Sequence, residues 1–252
     1  MTWEGYLMLV VSGFIAGFFD SVVGGGGVVT LPSLLWAGLP PYYALGTNKL
    51  AGTFASSTSS WTYFRSAWLD KKLLAWMFPF TFAGAWFGAS TVLKVNERYL
   101  QTIILVAIVV ITLITLFKKN MGEHNRFRGV TVGTLWLALP VAFALGFYDG
   151  FIGPGTGSFL LFTFLTLFRY DFQLAAGNGR VLNFSSNIAA LLLFALRGKV
   201  VYLVGLPMGV AMMLGARAGS KLAIAKGVPY IRPLFIAVAV ILSIKMAYSV
   251  LL

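Results

Sequence analysis

Asp20 and Asp149 are each the only charge in their own apolar segment, and Lys49 and Arg180 are equivalent cations near the start of the next. An ionisable side chain in such a place is costly unless it is paired or put to use. Each acid is followed by a break, Gly24-Gly25-Gly26-Gly27 after Asp20 and Gly153-Pro154-Gly155-Thr156-Gly157 after Asp149. Consecutive glycines interrupt a helix and leave amides and carbonyls that lipid cannot satisfy, so a break must line a protein cavity or water. A half-helix is expected to start after each break, near Val28 and near Ser158, with free N–H groups and the positive end of its dipole at its start. Those features suit an anion. A tetrahedral oxyanion also needs neutral donors and one or two cations. Asn48, Lys49 and Ser56 in the next segment, and Asn178, Arg180 and Asn183 in its counterpart, supply both. The expected substrate-binding set is therefore Asp20, Gly24, Gly25, Gly26, Gly27, Asn48, Lys49, Ser56, Asp149, Gly153, Gly155, Thr156, Asn178, Arg180 and Asn183. Protons carried by the two acids would couple to the anion.

Plainer roles stand beside these. The glycines would serve close helix packing, the acids would cap the loops or pair with a cation, and Lys49 and Arg180 would snorkel to the interface. Gly84-x-x-x-Gly88 and Gly215-x-x-x-Gly219 are best read as helix contacts, with Arg217 inside the second. His124 stands alone in a polar loop, and the chain has no cysteine, which excludes disulfides and thiolate metal or redox chemistry. No catalytic residue, metal or cofactor is expected.

The elements that must position these residues are membrane spans. Of 252 residues, 59% are hydrophobic and 10% charged, so lipid must cover what water cannot. Apolar runs near the length that crosses the hydrocarbon fall at 5–38, 43–64, 73–93, 96–117, 131–168, 172–197, 199–224 and 231–252, the first and fifth interrupted at their glycines. The net charge of +12 sits mostly in short connectors such as Lys71–Lys72, Lys118–Lys119 and Arg126–Arg128, a placement that reads as topology signals beside anionic lipid and not as a nucleic-acid surface. Glu4 and the lack of a basic leader predict that the first apolar segment is retained.

The chain repeats with a period near 130: Phe14-x-x-Gly17-Phe18-x-Asp20-x-x-x-Gly24-x-Gly26 aligns with Phe143-x-x-Gly146-Phe147-x-Asp149-x-x-x-Gly153-x-Gly155. Gly46-x-x-Lys49 matches Gly177-x-x-Arg180, and the two Gly-x-x-x-Gly motifs match each other. The fold class is thus an all-α polytopic membrane protein with two repeats of about four helices, 1–120 and 131–252, joined by a polar connector at 121–130. If each broken segment turns back at its glycines, the repeats are inverted and the loops with Lys71, Lys118, Arg169 and Lys226 share one basic, cytoplasmic side. If each crosses once, the charge bias is weaker.

Gly17-x-x-Asp20-x-x-x-Gly24-Gly25-Gly26-Gly27-x-x-x-x-Pro32, Gly46-Thr47-Asn48-Lys49 and Arg180-Val181-Leu182-Asn183-Phe184 make the chain similar to the TauE/SafE sulfite exporter family, particularly its YfcA-like branch. The resemblance spans essentially the whole chain. It implies a multi-pass carrier of the bacterial inner membrane for sulfite, thiosulfate, sulfoacetate or other organosulfonates. The function expected is a secondary transporter exporting such anions, proton-coupled, by alternating access. A passive anion channel would use the same cationic cavity. An intramembrane enzyme with paired Asp residues is the third reading, and it lacks supporting groups. The partners expected are a small anion, protons and lipid, with no nucleic acid; the oligomeric state is open, a homodimer being one option.

Overall fold

The computed structural model describes residues 3–66, 68–117, 125–127 and 129–226. Nine helices are present among them: α1 (Trp3–Val23), α2 (Gly26–Trp36), α3 (Pro41–Arg65), α4 (Lys71–Val92), α5 (Glu97–Phe117), α6 (Val132–Phe151), α7 (Thr156–Thr166), α8 (Phe172–Leu196) and α9 (Tyr202–Lys226). The expected spans agree with these bounds to within three residues. The span at 231–252 and His124 lie outside the described residues. Five helices, α1, α4, α6, α8 and α9, are long and apolar enough to cross a membrane, and α2 and α7 are shorter apolar pieces.

Local chemistry sets the helix starts. Asp70 and Asp171 cap α4 and α8 by accepting from Leu73 and Leu174 N–H, and Thr131 and Thr134 form a reciprocal cap on α6. Pro41 opens α3 at a position where its missing N–H costs nothing.

The packing exchanges helices between the repeats. A Cβ at Gly17 would collide with the Met212 carbonyl, and one at Gly146 with the Thr81 carbonyl. Gly84 and Gly88 lie against the carbonyls of Phe143 and Phe147, and Gly215 and Gly219 against those of Phe14 and Phe18. These glycines therefore do what the motifs predicted, letting α1 run beside α9 and α6 beside α4 with backbones almost touching. The order of the contacts makes both pairs parallel.

α3 and α8 cross antiparallel, since Gly46 meets Phe194 and Lys199 while Gly52 meets Asn187 further along. The short helices fold back beside their predecessors. Gly26 packs on Ala16 and Asp20, and the Tyr148 ring meets Phe159 at 5.4 Å. Loop contacts then sort the ends of the bundle. Tyr42 bonds to the Val95 carbonyl and Lys199 lies over Tyr43 at one end. Trp68 lies against Gly177, and Arg126 N–H donates to the Arg169 carbonyl at 2.8 Å, at the other. Lys94, Arg98, Arg197 and Lys199 belong to the first end, and Arg65, Lys71, Lys72, Arg126, Arg169, Lys221 and Lys226 to the second.

Candidate functional site

Both broken helices open where the repeats meet. Gly24 and Gly25 take left-handed φ values of 80° and 104°, which a Cβ disfavours, and α2 starts at Gly26. In the second repeat Gly153 matches Gly24 with φ 92°, but Pro154 occupies the place of Gly25. Proline is locked near −65° and cannot take a left-handed φ. The left-handed residue is therefore displaced to Gly155, φ 76°, and α7 begins one position later, at Thr156. Gly24 touches the backbone of Gly157 and Ser158, and the Ser158 hydroxyl donates to the Val23 and Gly24 carbonyls at 2.9 and 3.1 Å.

Each cation reaches across to the acid of the other repeat. Lys49 Nζ lies 2.9 Å from Asp149 Oδ1, and Arg180 Nη1 lies 3.6 Å from Asp20 Oδ2. Lys49 and Arg180 are 1% and 0% exposed, which rules out snorkelling and makes pairing obligatory. Arg180 Nη1 also donates to the Asp20 carbonyl and Nη2 to the Gly157 carbonyl at 3.3 Å. Asp20 Oδ1 accepts from Gly25 and Gly26 N–H at 3.2 and 2.9 Å, and Oδ2 accepts from Asn183 at 3.4 Å. Its carboxylate thus occupies the positive end of α2.

Between these groups is a small cavity of about 20 Å³, enough for about one water. Of the residues singled out from sequence, Asp20, Gly25, Gly26, Gly27, Asn48, Lys49, Asp149, Gly153, Thr156 and Asn183 line it. Arg180 sits behind the wall, tied to Asp20 and Gly157. Gly24 and Gly155 shape the breaks without lining the cavity.

Two candidates lie elsewhere. Ser56 bonds back to the Gly52 carbonyl at 2.6 Å, and Asn178 accepts from Asp70 N–H at 2.9 Å at the start of α4. The Asn178 contact has a twin, since Thr47 accepts from Val201 N–H at 3.0 Å. Thr47, not Asn48, is the counterpart of Asn178, and both secure loops.

Gly52, Gly157, Asn187 and Met212 also line the cavity. Gly52 and Met212 carry no polar side chain, so only the α3–α8 crossing and the docking of α9 on α1 bring them there. Asn187 could have been found from sequence as the next turn of the Asn183 face; its amide donates to Asn183 Oδ1 at 2.9 Å. Asn48 accepts a bond from Thr30 on α2. No cluster of His, Cys, Asp or Glu able to hold a metal occurs among the described residues.

The family model described as sulfite exporter TauE/SafE matches residues 9–246. A probable membrane transporter protein, ORF9, of a Sinorhizobium species is 40% identical over 238 residues, covering 94% of this chain and 90% of that protein. A probable membrane transporter protein of Haemophilus influenzae is 34% identical over 242 residues, covering 96% and 94%. The probable membrane transporter protein YfcA of Escherichia coli K12 is 39% identical over 238 residues, covering 93% and 87%. No solved structure matches the chain.

Proposed function

The chain belongs to the sulfite exporter TauE/SafE family and is a membrane transporter, and from that premise we propose that it exports small sulfur-containing oxyanions, such as sulfite or organosulfonates, as a proton-coupled secondary carrier. The observation that carries this reading is the cavity at which both glycine breaks meet, with Lys49, the amide side chains of Asn48 and Asn183, and the starts of α2 and α7 on its wall. Cationic and neutral donors converge there with the half-helix dipole of α7, the set a desolvated oxyanion requires, while Asp20 fills the positive end of α2.

A space that holds about one water does not admit sulfite, which has four heavy atoms. Binding therefore needs the repeats to separate on one side, and release needs them to separate on the other. The antiparallel crossing of α3 and α8 supports inverted repeats, whose exchange of conformations is the usual basis of alternating access. The surplus of Lys and Arg at the end that holds the α3–α4 and α7–α8 loops supports a cytoplasmic placement of that end in the bacterial inner membrane.

The test is reconstitution into liposomes with labelled sulfite, thiosulfate and sulfoacetate. Uptake that a pH gradient drives above equilibrium is the expected result for at least one of them. Downhill flux indifferent to the pH gradient would identify an anion channel instead. In Asp149→Asn, exchange of labelled anion should survive while uphill transport disappears.

A further inference from the structure

The two ion pairs occupy equivalent positions in the repeats but differ in their surroundings. Asp20 accepts two backbone N–H bonds and one from Asn183 in addition to its contact with Arg180. Two of the three matching donors are missing around Asp149, and the third, the Gly155 N–H that matches Gly26, makes no bond to it among the described residues. Pro154 stands where Gly25 donates and has no N–H, and Gly52 stands where Asn183 donates and has no side chain. Asp149 Oδ2 is consequently buried with no hydrogen-bond partner among the described residues, although the residue lines the cavity and is only 2% exposed. A buried carboxylate oxygen left without a partner is expensive.

The cations differ in the same sense. Arg180 is bound to the Asp20 and Gly157 carbonyls as well as to the Asp20 carboxylate, with only its Nε unpartnered, and it is off the cavity wall. Lys49 is on the wall, and Asp149 is its ion-pair partner. A Cβ at Gly153 would stand 2.8 Å from Lys49 Nζ, so that glycine leaves the ammonium its space. Beside it, Thr156 and Gly157, in the first turn of α7, also line the cavity, and among the described residues no side chain caps that turn, whose Thr156 N–H bonds only to the Gly153 carbonyl. The first turn of α2 is instead taken by Asp20.

We propose that Lys49 and the uncapped start of α7 bind the transported anion, that Asp149 is the exchangeable counter-ion the anion displaces from Lys49, and that Asp20–Arg180 is a fixed clamp between the repeats. The assignment rests on the anion-carrier reading. It makes the two ion pairs unequal: one holds the crossing together while the other trades a carboxylate for the cargo.

The test uses the full chain, purified in detergent, with sulfite as the probe. Thermal unfolding without anion compares two matched double variants, D20A/R180M and D149A/K49M. The first removes bonds to four backbone groups, Gly25 N, Gly26 N, Asp20 O and Gly157 O. It should unfold about 5 °C or more below the second, or yield no folded protein where the second does. Equal losses, or the reverse order, overturn the clamp. Sulfite binding then compares the wild type with D149N and K49M. Freeing Lys49 from its carboxylate should tighten the Kd of D149N about tenfold, equivalent to roughly 1.4 kcal/mol, and K49M should lose binding. A D149N affinity equal to or weaker than wild type overturns the exchange, because a purely structural Asp149 could only lose affinity on substitution. If the wild type ignores sulfite while the unfolding order holds, sulfite fails as the cargo and the clamp assignment stands, since unfolding is read without any anion.

Discussion

The glycine break after Asp20 and the one after Asp149 belong to one repeated motif, yet the exchange of Gly25 for Pro154, more than that of Gly27 for Thr156, separates what they do. With glycine, the chain turns left-handed at 104°, two N–H groups point at the preceding carboxylate, and the acid becomes a cap for α2. With proline, one donor is absent, the left-handed turn moves one residue on, and among the described residues the Asp149 carboxylate keeps only its contact with Lys49. Sequence identity between repeats thus preserves the placement of charged groups more faithfully than it preserves their hydrogen bonding. A duplicated site can in this way hold one half rigid while the other remains free to exchange partners.

Predictions that bear on this comparison can be ordered by size. The largest effect belongs to the features the halves share. Gly17→Leu and Gly146→Leu should both abolish folded protein in the membrane, measured by size-exclusion of a fluorescent fusion, because each side chain would strike a backbone carbonyl across a parallel helix pair. A large difference between the two would show that the crossings are not equivalent.

Next come the exchanges at the breaks. Gly25→Pro should cost about 3 kcal/mol or more, since it removes the N–H that bonds Asp20 and forbids the local φ. Pro154→Gly should cost no more than about 1 kcal/mol, mainly through the unfolded chain. Thermal unfolding in detergent separates them, and similar losses would contradict the division between a capped and an uncapped acid.

A Gly26→Leu side chain would meet Asp20, with its Cβ 2.9 Å from that of the acid. Membrane yield should fall together with sulfite binding, and a normal yield with normal binding would detach Asp20 from the loop.

The smallest effect is expected at the twin loop contacts, Thr47→Ala and Asn178→Ala, each removing one hydrogen bond worth about 1 kcal/mol. Both should leave labelled-anion exchange at its wild-type rate. A transport defect confined to Asn178→Ala would return that residue to the binding set.

Much of this was legible in the chain itself. Hydropathy located the helices because lipid rewards long apolar runs regardless of what packs on them, and the glycine runs located both breaks because no other residue tolerates the backbone required. The repeat paired Asp20 with Asp149 and Lys49 with Arg180 as equivalents, which is a statement about ancestry and not about contact. Only the tertiary structure decided that each cation serves the acid of the opposite repeat, because α3 and α8 cross antiparallel and carry Lys49 and Arg180 past one another. It likewise moved Asn178 and Ser56 away from the cavity and brought Gly52, Asn187 and Met212 to it. Residue type and spacing determine what a side chain can bond, but its partner depends on which helix face meets which across more than a hundred residues of chain, and that is a property of packing alone.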